Sequence, residues 1–177
     1  MIVKTIKVTL FLFIVFIMQV SFLPGLFYPL NKLNIFLPVL IFFLVLYEEK
    51  VTMIYAIVFS VFLAISSSLP LILSIFVLPL AIAILVKIYN RFFTNKSIYS
   101  LLLLNLLLLL FYQIINTVFF LIYYFYNYKT FSAAINYNAI LNSFIWQAVL
   151  SSVFVFIAFF FVNYLSNKLK TVFIDAT

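Results

Sequence analysis

The sequence predicts an all-α, polytopic membrane protein: six transmembrane helices in a single domain over residues 1–177, with both termini cytoplasmic. Three observations predict it. First, 69% of the 177 residues are hydrophobic and only 7% are charged, whereas a soluble domain runs about 45–50% apolar and about 25% charged. A chain this short cannot enclose that much apolar surface in a globule facing water. Second, the apolar residues fall into runs of roughly membrane-spanning length. Third, the Lys and Arg residues gather at alternate breaks between those runs. This composition excludes a soluble enzyme, a nucleic-acid binder and a disordered region.

The first run, Val8 to Leu23, follows Lys4 and Lys7 and stops at the breaker Pro24-Gly25. Lysines before an apolar run also open a signal peptide. Gln19-Val20-Ser21 lacks the small-residue cleavage pattern, however, so the run is read as a span. The second run, Ile35 to Tyr47, follows Asn31, Lys32 and Asn34. It would rise only about 20 Å, short of the roughly 30 Å hydrocarbon core. Either it lengthens back to Leu30 while Lys32 snorkels to the interface, or it is a half-crossing segment. Pro38 is expected to weaken its hydrogen bonding near the outer end.

Glu48-Glu49-Lys50 separates this segment from the third run, Val51 to Ile65, which Ser66-Ser67-Ser68-Leu69-Pro70 closes. The fourth run, Leu71 to Ile88, ends at Asn90-Arg91 and Thr94-Asn95-Lys96. The fifth, Ile98 to Tyr126, would reach about 43 Å and must tilt or project. The sixth runs from Ala139 to Leu165, before Asn167-Lys168. Barrel strands would be about ten residues long with alternating polarity, and no such alternation is present.

The charge distribution sets the orientation. With a cytoplasmic N-terminus, the inner loops hold Lys4, Lys7, Lys50, Lys87, Arg91, Lys96, Lys168 and Lys170, and the outer loops hold Lys32 and Lys129. Eight against two is a strong positive-inside bias, and a missed or extra span would destroy it. The net charge of +7 is thus read as orientation on anionic lipid. Tyr123, Tyr124, Tyr126, Tyr128 and Tyr137 then collect at the outer end of spans five and six, where an aromatic belt belongs.

The residue counts narrow the chemistry further. The chain has no His and no Cys, and its only acids are Glu48, Glu49 and Asp175. Thiolate catalysis, His-based proton transfer and paired carboxylates inside the spans are absent. No enzyme activity, metal or cofactor is expected. The 25 Phe and the single Gly match the profile that A+T-rich codon usage produces, so Phe richness carries no functional weight.

Intramembrane polarity is where function usually resides in such a protein. Here it consists of uncharged groups. Gln19 lies near the outer end of span one, and Asn105, Gln113 and Asn116 share one face of span five. Span six carries Ser143, Gln147 and Ser151 at i, i+4 and i+8, with Asn142 and Trp146 beside them. Two readings stand: a polar groove between spans five and six for a ligand or partner helix, or ordinary interhelical hydrogen bonding. Ala56, Ser60 and Ala64 form a small-residue stripe on span three that lets another backbone approach closely. Ser74 and Ala81 to Ala83 could serve the same purpose on span four.

In this order the features resemble the MreD family, the small integral membrane component of the bacterial rod-shape and elongation machinery. The resemblance rests on Met18-Gln19-Val20-Ser21-Phe22-Leu23 at the end of span one, Pro38 in Ile35-Phe36-Leu37-Pro38-Val39-Leu40, and the turn Ser66-Ser67-Ser68-Leu69-Pro70-Leu71. The chain departs from the family pattern in span three, where Ala64 and Ser66 stand in the neighbourhood of the family's Gly and Asp residues. The resemblance implies a non-enzymatic scaffold in the bacterial cytoplasmic membrane. It would pair with an MreC-like membrane protein in the cell-elongation complex. That family is similar in fold to the solute-binding subunits of energy-coupling-factor transporters, which makes such a subunit the alternative. A generic small helical membrane protein is a third reading.

The charge asymmetry yields a direct test. A reporter active only in the cytoplasm, fused after Thr177, is expected to give signal. A cysteine at Lys32 is expected to react with a membrane-impermeant reagent from outside. An extracytoplasmic C-terminus would overturn the six-span topology.

Overall fold

A computed structural model describes residues 13–46, 49–65, 69–92, 97–128 and 137–174. Among these residues all regular structure is helical. The elements are α1 (Phe13–Gly25), α2 (Phe36–Leu46), α3 (Glu49–Ile65), α4 (Leu71–Phe92), α5 (Ile98–Tyr128) and α6 (Tyr137–Ile174). Three of them are long and apolar enough to cross a membrane: α4, α5 over Ile98–Tyr126, and α6 over Ile140–Phe161. The other three are shorter. The chain is thus a helical, membrane-type protein whose helices differ widely in length.

The short helices follow from their sequences. The α1 helix loosens into a π-helical turn at Met18–Phe22 and tightens into a 3-10 turn at Leu23–Gly25, with Pro24 inside that last turn. Leu26 is extended, so the helix stops at the Pro-Gly pair as the sequence predicts. Gly25 has ordinary negative φ, and a Cβ there would meet no atom within 4 Å. The break thus owes more to Pro24 than to any need for glycine.

The α2 helix does not lengthen back to Leu30. Leu30–Lys32 is a separate 3-10 turn, and Leu33 leaves it in an extended conformation. With 11 residues, α2 rises only about 16 Å, shorter than the second run as the sequence delimits it. Pro38 does not weaken it. Pro38 is the third residue of the helix, where an N–H would have no intrahelical acceptor in any case.

All of α2 except Phe42 and Leu46 is buried. A helix that is apolar all round belongs in an interior. Here α3, α5 and α6 enclose it. Aromatic rings join it to α3: Phe36 stacks on Phe59 at 4.5 Å between centroids and Phe43 on Tyr55 at 4.7 Å. Phe16 of α1 reaches the same layer through Phe62 at 4.2 Å. Leu40, Ile41, Leu78, Ile82, Leu104 and Leu108 fill the centre.

The α3 and α4 helices form an antiparallel hairpin. Its open end is tied by Asn90, whose Nδ2 donates to Glu49 Oε1 at 2.7 Å. The sequence reading treats Glu49 and Asn90 only as polar breaks. At the hairpin's closed end Leu69 is buried, and the Ser74 hydroxyl bonds the Pro70 carbonyl at 3.3 Å. The Ser66-Ser67-Ser68 turn lies outside the described residues. α4 stays helical through Pro79, as intramembrane helices do when neighbouring groups take up the freed carbonyl.

α5 and α6 are longer than a hydrocarbon core of roughly 30 Å requires. α5, with 31 residues, rises about 46 Å. α6 continues through Asn167, Lys168 and Lys170 to Ile174, beyond the end at Leu165 that hydropathy predicts. Lysine is a good helix former, so a change in polarity there is not a change in backbone.

The small stripe of α3 has an intramolecular use. Ala56 and Ser60 are completely buried, and Ala64 nearly so. Tyr55, Phe59 and Phe62 lie about 100–160° from the centre of that stripe around the helix and make the aromatic contacts described above. This leaves the small stripe for α4, the helix against which α3 packs most extensively. Ser74 and Ala81 are buried on α4, and Ala83 is half-buried. The Ser60 hydroxyl donates to Ile57 O in its own helix at 2.7 Å. The stripe is therefore not a free docking face. Ser60→Leu is expected to destabilise the protein itself by about 1–3 kcal/mol through overpacking, read as a lowered unfolding temperature in detergent. An unchanged unfolding temperature would show that the stripe is open.

Candidate functional site

The polar groups inside the apolar helices divide into two sets. The first surrounds the start of α2, which begins among other helices rather than in water. Its first N–H groups lack intrahelical acceptors, and burying them unpaired would cost about 1–3 kcal/mol each. Side chains supply the acceptors. The Ile35 N–H donates to Gln19 Oε1 at 2.7 Å, across 16 residues of chain. The Phe36 N–H donates to Asn34 Oδ1 at 3.1 Å. Gln19 Nε2 in turn donates to Leu33 O at 3.4 Å. One amide thus grips both a carbonyl and an N–H of the bend that leads into α2.

Gln19 is one of the residues that the sequence singles out. Asn34 was legible only as part of a polar break. Its signal is an Asn placed just before an apolar helical run, which is an N-terminal capping pattern.

A strap, residues 26–35, joins α1 to α2 and packs against the N-terminal part of α6. It contains the cis Tyr28–Pro29 peptide. The Tyr28 hydroxyl accepts from Asn142 Nδ2 at 2.8 Å, and the Tyr28 ring meets Trp146 edge-on at 6.0 Å. Trp146 is therefore a packing partner of the strap. Tyr28 carried no sequence signal for this role.

The second set joins α5 to α6. Asn105 is completely buried, and its Nδ2 donates to the Ser151 hydroxyl at 2.9 Å. Ser151, also completely buried, donates onward to Ala148 O at 3.3 Å. Asn105 Oδ1 is the one buried side-chain polar atom without a hydrogen-bond partner among the described residues. Ser143 donates to Ile140 O of its own helix at 2.8 Å. Gln113, Asn116 and Gln147 are half-buried.

Of the two polar stripes that the sequence predicts, the structure thus joins Asn105 to Ser151. Their serines also bond back onto α6. Such groups hold helices together. No cluster of three His, Cys, Asp or Glu suited to a metal occurs among the described residues.

The two sets differ in expected weight. Gln19→Leu leaves the Ile35 N–H without its acceptor and is expected to destabilise the fold by about 1–3 kcal/mol. A double-mutant cycle on Asn105 and Ser151 is expected to give a coupling near 0.6 kcal/mol, the usual value for an intramembrane side-chain bond. Thermal unfolding of both in detergent provides the comparison. A Gln19 variant as stable as the parent would remove the amide from this role.

No protein-family model matches the chain, and neither a curated protein nor a solved structure does.

Proposed function

We propose that the protein is a non-enzymatic scaffold of the bacterial cell-elongation machinery. In this reading it lies in the cytoplasmic membrane and acts through helix contacts with an MreC-like partner. The observation that carries the reading is the meeting of Gln19 with the bend before α2. Two of the three segments on which the resemblance to the MreD family rests, Met18 to Leu23 and Ile35 to Leu40, are separated in sequence by residues 24–34. In the fold they are joined by the Gln19–Ile35 bond. A pattern conserving that joint would preserve a fold rather than a reaction.

The same reading has the chain cross the bilayer six times, with α2 as its shortest crossing. The Glu49–Asn90 and Tyr28–Asn142 bonds support an alternating path. They gather Lys50, Lys87 and Arg91 toward one end and set Lys32 toward the other.

The buried stripe on α3 is taken up within the chain, so a partner must use an outer face. α6 is the least enclosed of the three long helices, and Ile145, Val149 and Val153 line its exposed side at i, i+4 and i+8. Co-purification of the full chain with the MreC-like protein from the same genome tests the reading. Val149→Trp is expected to lower partner recovery about fivefold, equivalent to ~1 kcal/mol, without changing the unfolding temperature. Failure to recover the partner with the unaltered chain would overturn the reading.

One observation favours a solute-binding subunit instead: the unpartnered Asn105 Oδ1, on the helix that also carries the half-buried Gln113 and Asn116 and bonded to the helix that carries Gln147. A small molecule retained through purification and lost on Gln113→Leu or Gln147→Leu would select that alternative.

A further inference from the structure

The open end of the α3–α4 hairpin concentrates cations that its own acid does not neutralise. The Glu49 carboxylate there is engaged by the Asn90 amide at 2.7 Å. Lys50, Lys87 and Arg91 are exposed, and none has a carboxylate partner among the described residues. Lys87 and Arg91 stand i, i+4 on α4, about 40° apart around the helix. Asn90, on their flank, joins them to the first turn of α3, which also carries Lys50. Among the described residues at this end, Lys50, Lys87 and Arg91 stand against the single acid Glu49.

Apolar side chains accompany the cations. Phe92 is 70% exposed and Leu46 53% exposed. The Arg91 guanidinium carbon lies 5.7 Å from the Phe92 ring centroid. Exposed aromatic and aliphatic groups beside unpaired cations suit the boundary between acyl chains and headgroups. A guanidinium can grip two phosphate oxygens at once, and a neighbouring ammonium adds a point charge.

We infer that this end of the hairpin binds the headgroups of anionic phospholipids. Lys87 and Arg91 serve the phosphodiester from α4, and Lys50 contributes from α3. The surface selects for net negative charge, since a zwitterionic headgroup carries a compensating cation. The Glu49–Asn90 bond holds the two helix ends together and keeps Glu49 engaged with an uncharged group rather than with one of these cations.

Native mass spectrometry of the full chain in a neutral detergent tests the inference. The probes are short-chain phosphatidylglycerol and phosphatidylcholine of equal chain length. The unaltered protein is expected to bind phosphatidylglycerol more tightly. Arg91→Gln is expected to weaken that binding about fivefold, and the Lys50→Gln, Lys87→Gln, Arg91→Gln triple variant on the order of a hundredfold. Lys32→Gln, at the other end of the molecule, should leave it unchanged. All the altered side chains are exposed, and the single Arg91 variant serves if the triple variant fails to fold. Equal affinity for the two lipids would overturn the inference, as would equal loss with Lys32→Gln. Displacement of phosphatidylglycerol by millimolar inorganic phosphate would also overturn it, because the site would then be one for free phosphate.

Discussion

A helix that begins inside a protein must find acceptors for N–H groups that water would otherwise satisfy. The rest of this architecture depends on how α2 meets that requirement. Gln19 and Asn34 supply the oxygens for Ile35 and Phe36, and Pro38 removes one donor from the same turn. With its start satisfied, a helix without a polar side chain can sit at the centre of the bundle. α3, α5 and α6 then pack around it. In a nonaqueous surround an unmet backbone group is especially costly, so the clamp is a condition for this placement.

The other polar groups continue the same economy of contact at smaller scale. Serines at 60, 143 and 151 bond carbonyls of their own helices, which hides a hydroxyl without requiring a partner. Asn105 reaches across from α5 to α6, and it does so with one of its two polar atoms. Among the described residues, amides make the ties at the ends of the bundle. Asn90 holds Glu49, and Asn142 holds Tyr28. An amide tie leaves Lys50, Lys87 and Arg91 without a carboxylate partner among the described residues, as the proposed headgroup site requires.

Much of the helical plan was legible because long apolar runs with polar breaks have few other solutions. The position of α2 was not. A helix apolar on all sides reads the same whether lipid or protein surrounds it, and only its shortness gave a hint. Gln19 stood out as an amide in an apolar run, but its partners are backbone groups, which no side-chain pattern announces. Asn105 and Ser151 were both visible as members of polar stripes, while the register joining them was not. The stripe Ala56-Ser60-Ala64 is buried within the chain, on the helix that packs most extensively against α4; small residues specify distance and not the identity of what approaches. The extension of α6 past Leu165 was missed since hydropathy reports where lipid ends and is silent about where hydrogen bonding ends.

The enclosure of α2 bears on how the molecule meets bilayers of different thickness. A membrane acts on the helices whose side chains touch lipid, making them tilt or deform the surrounding leaflet. α2 lies inside a ring of other helices, so thinning or thickening reaches it only after those helices have moved. The ring can lean while the centre keeps its length, its caps and its aromatic stacking. A change in lipid composition should therefore alter the inclination of α4, α5 and α6 long before it disturbs the joint between α1 and α2.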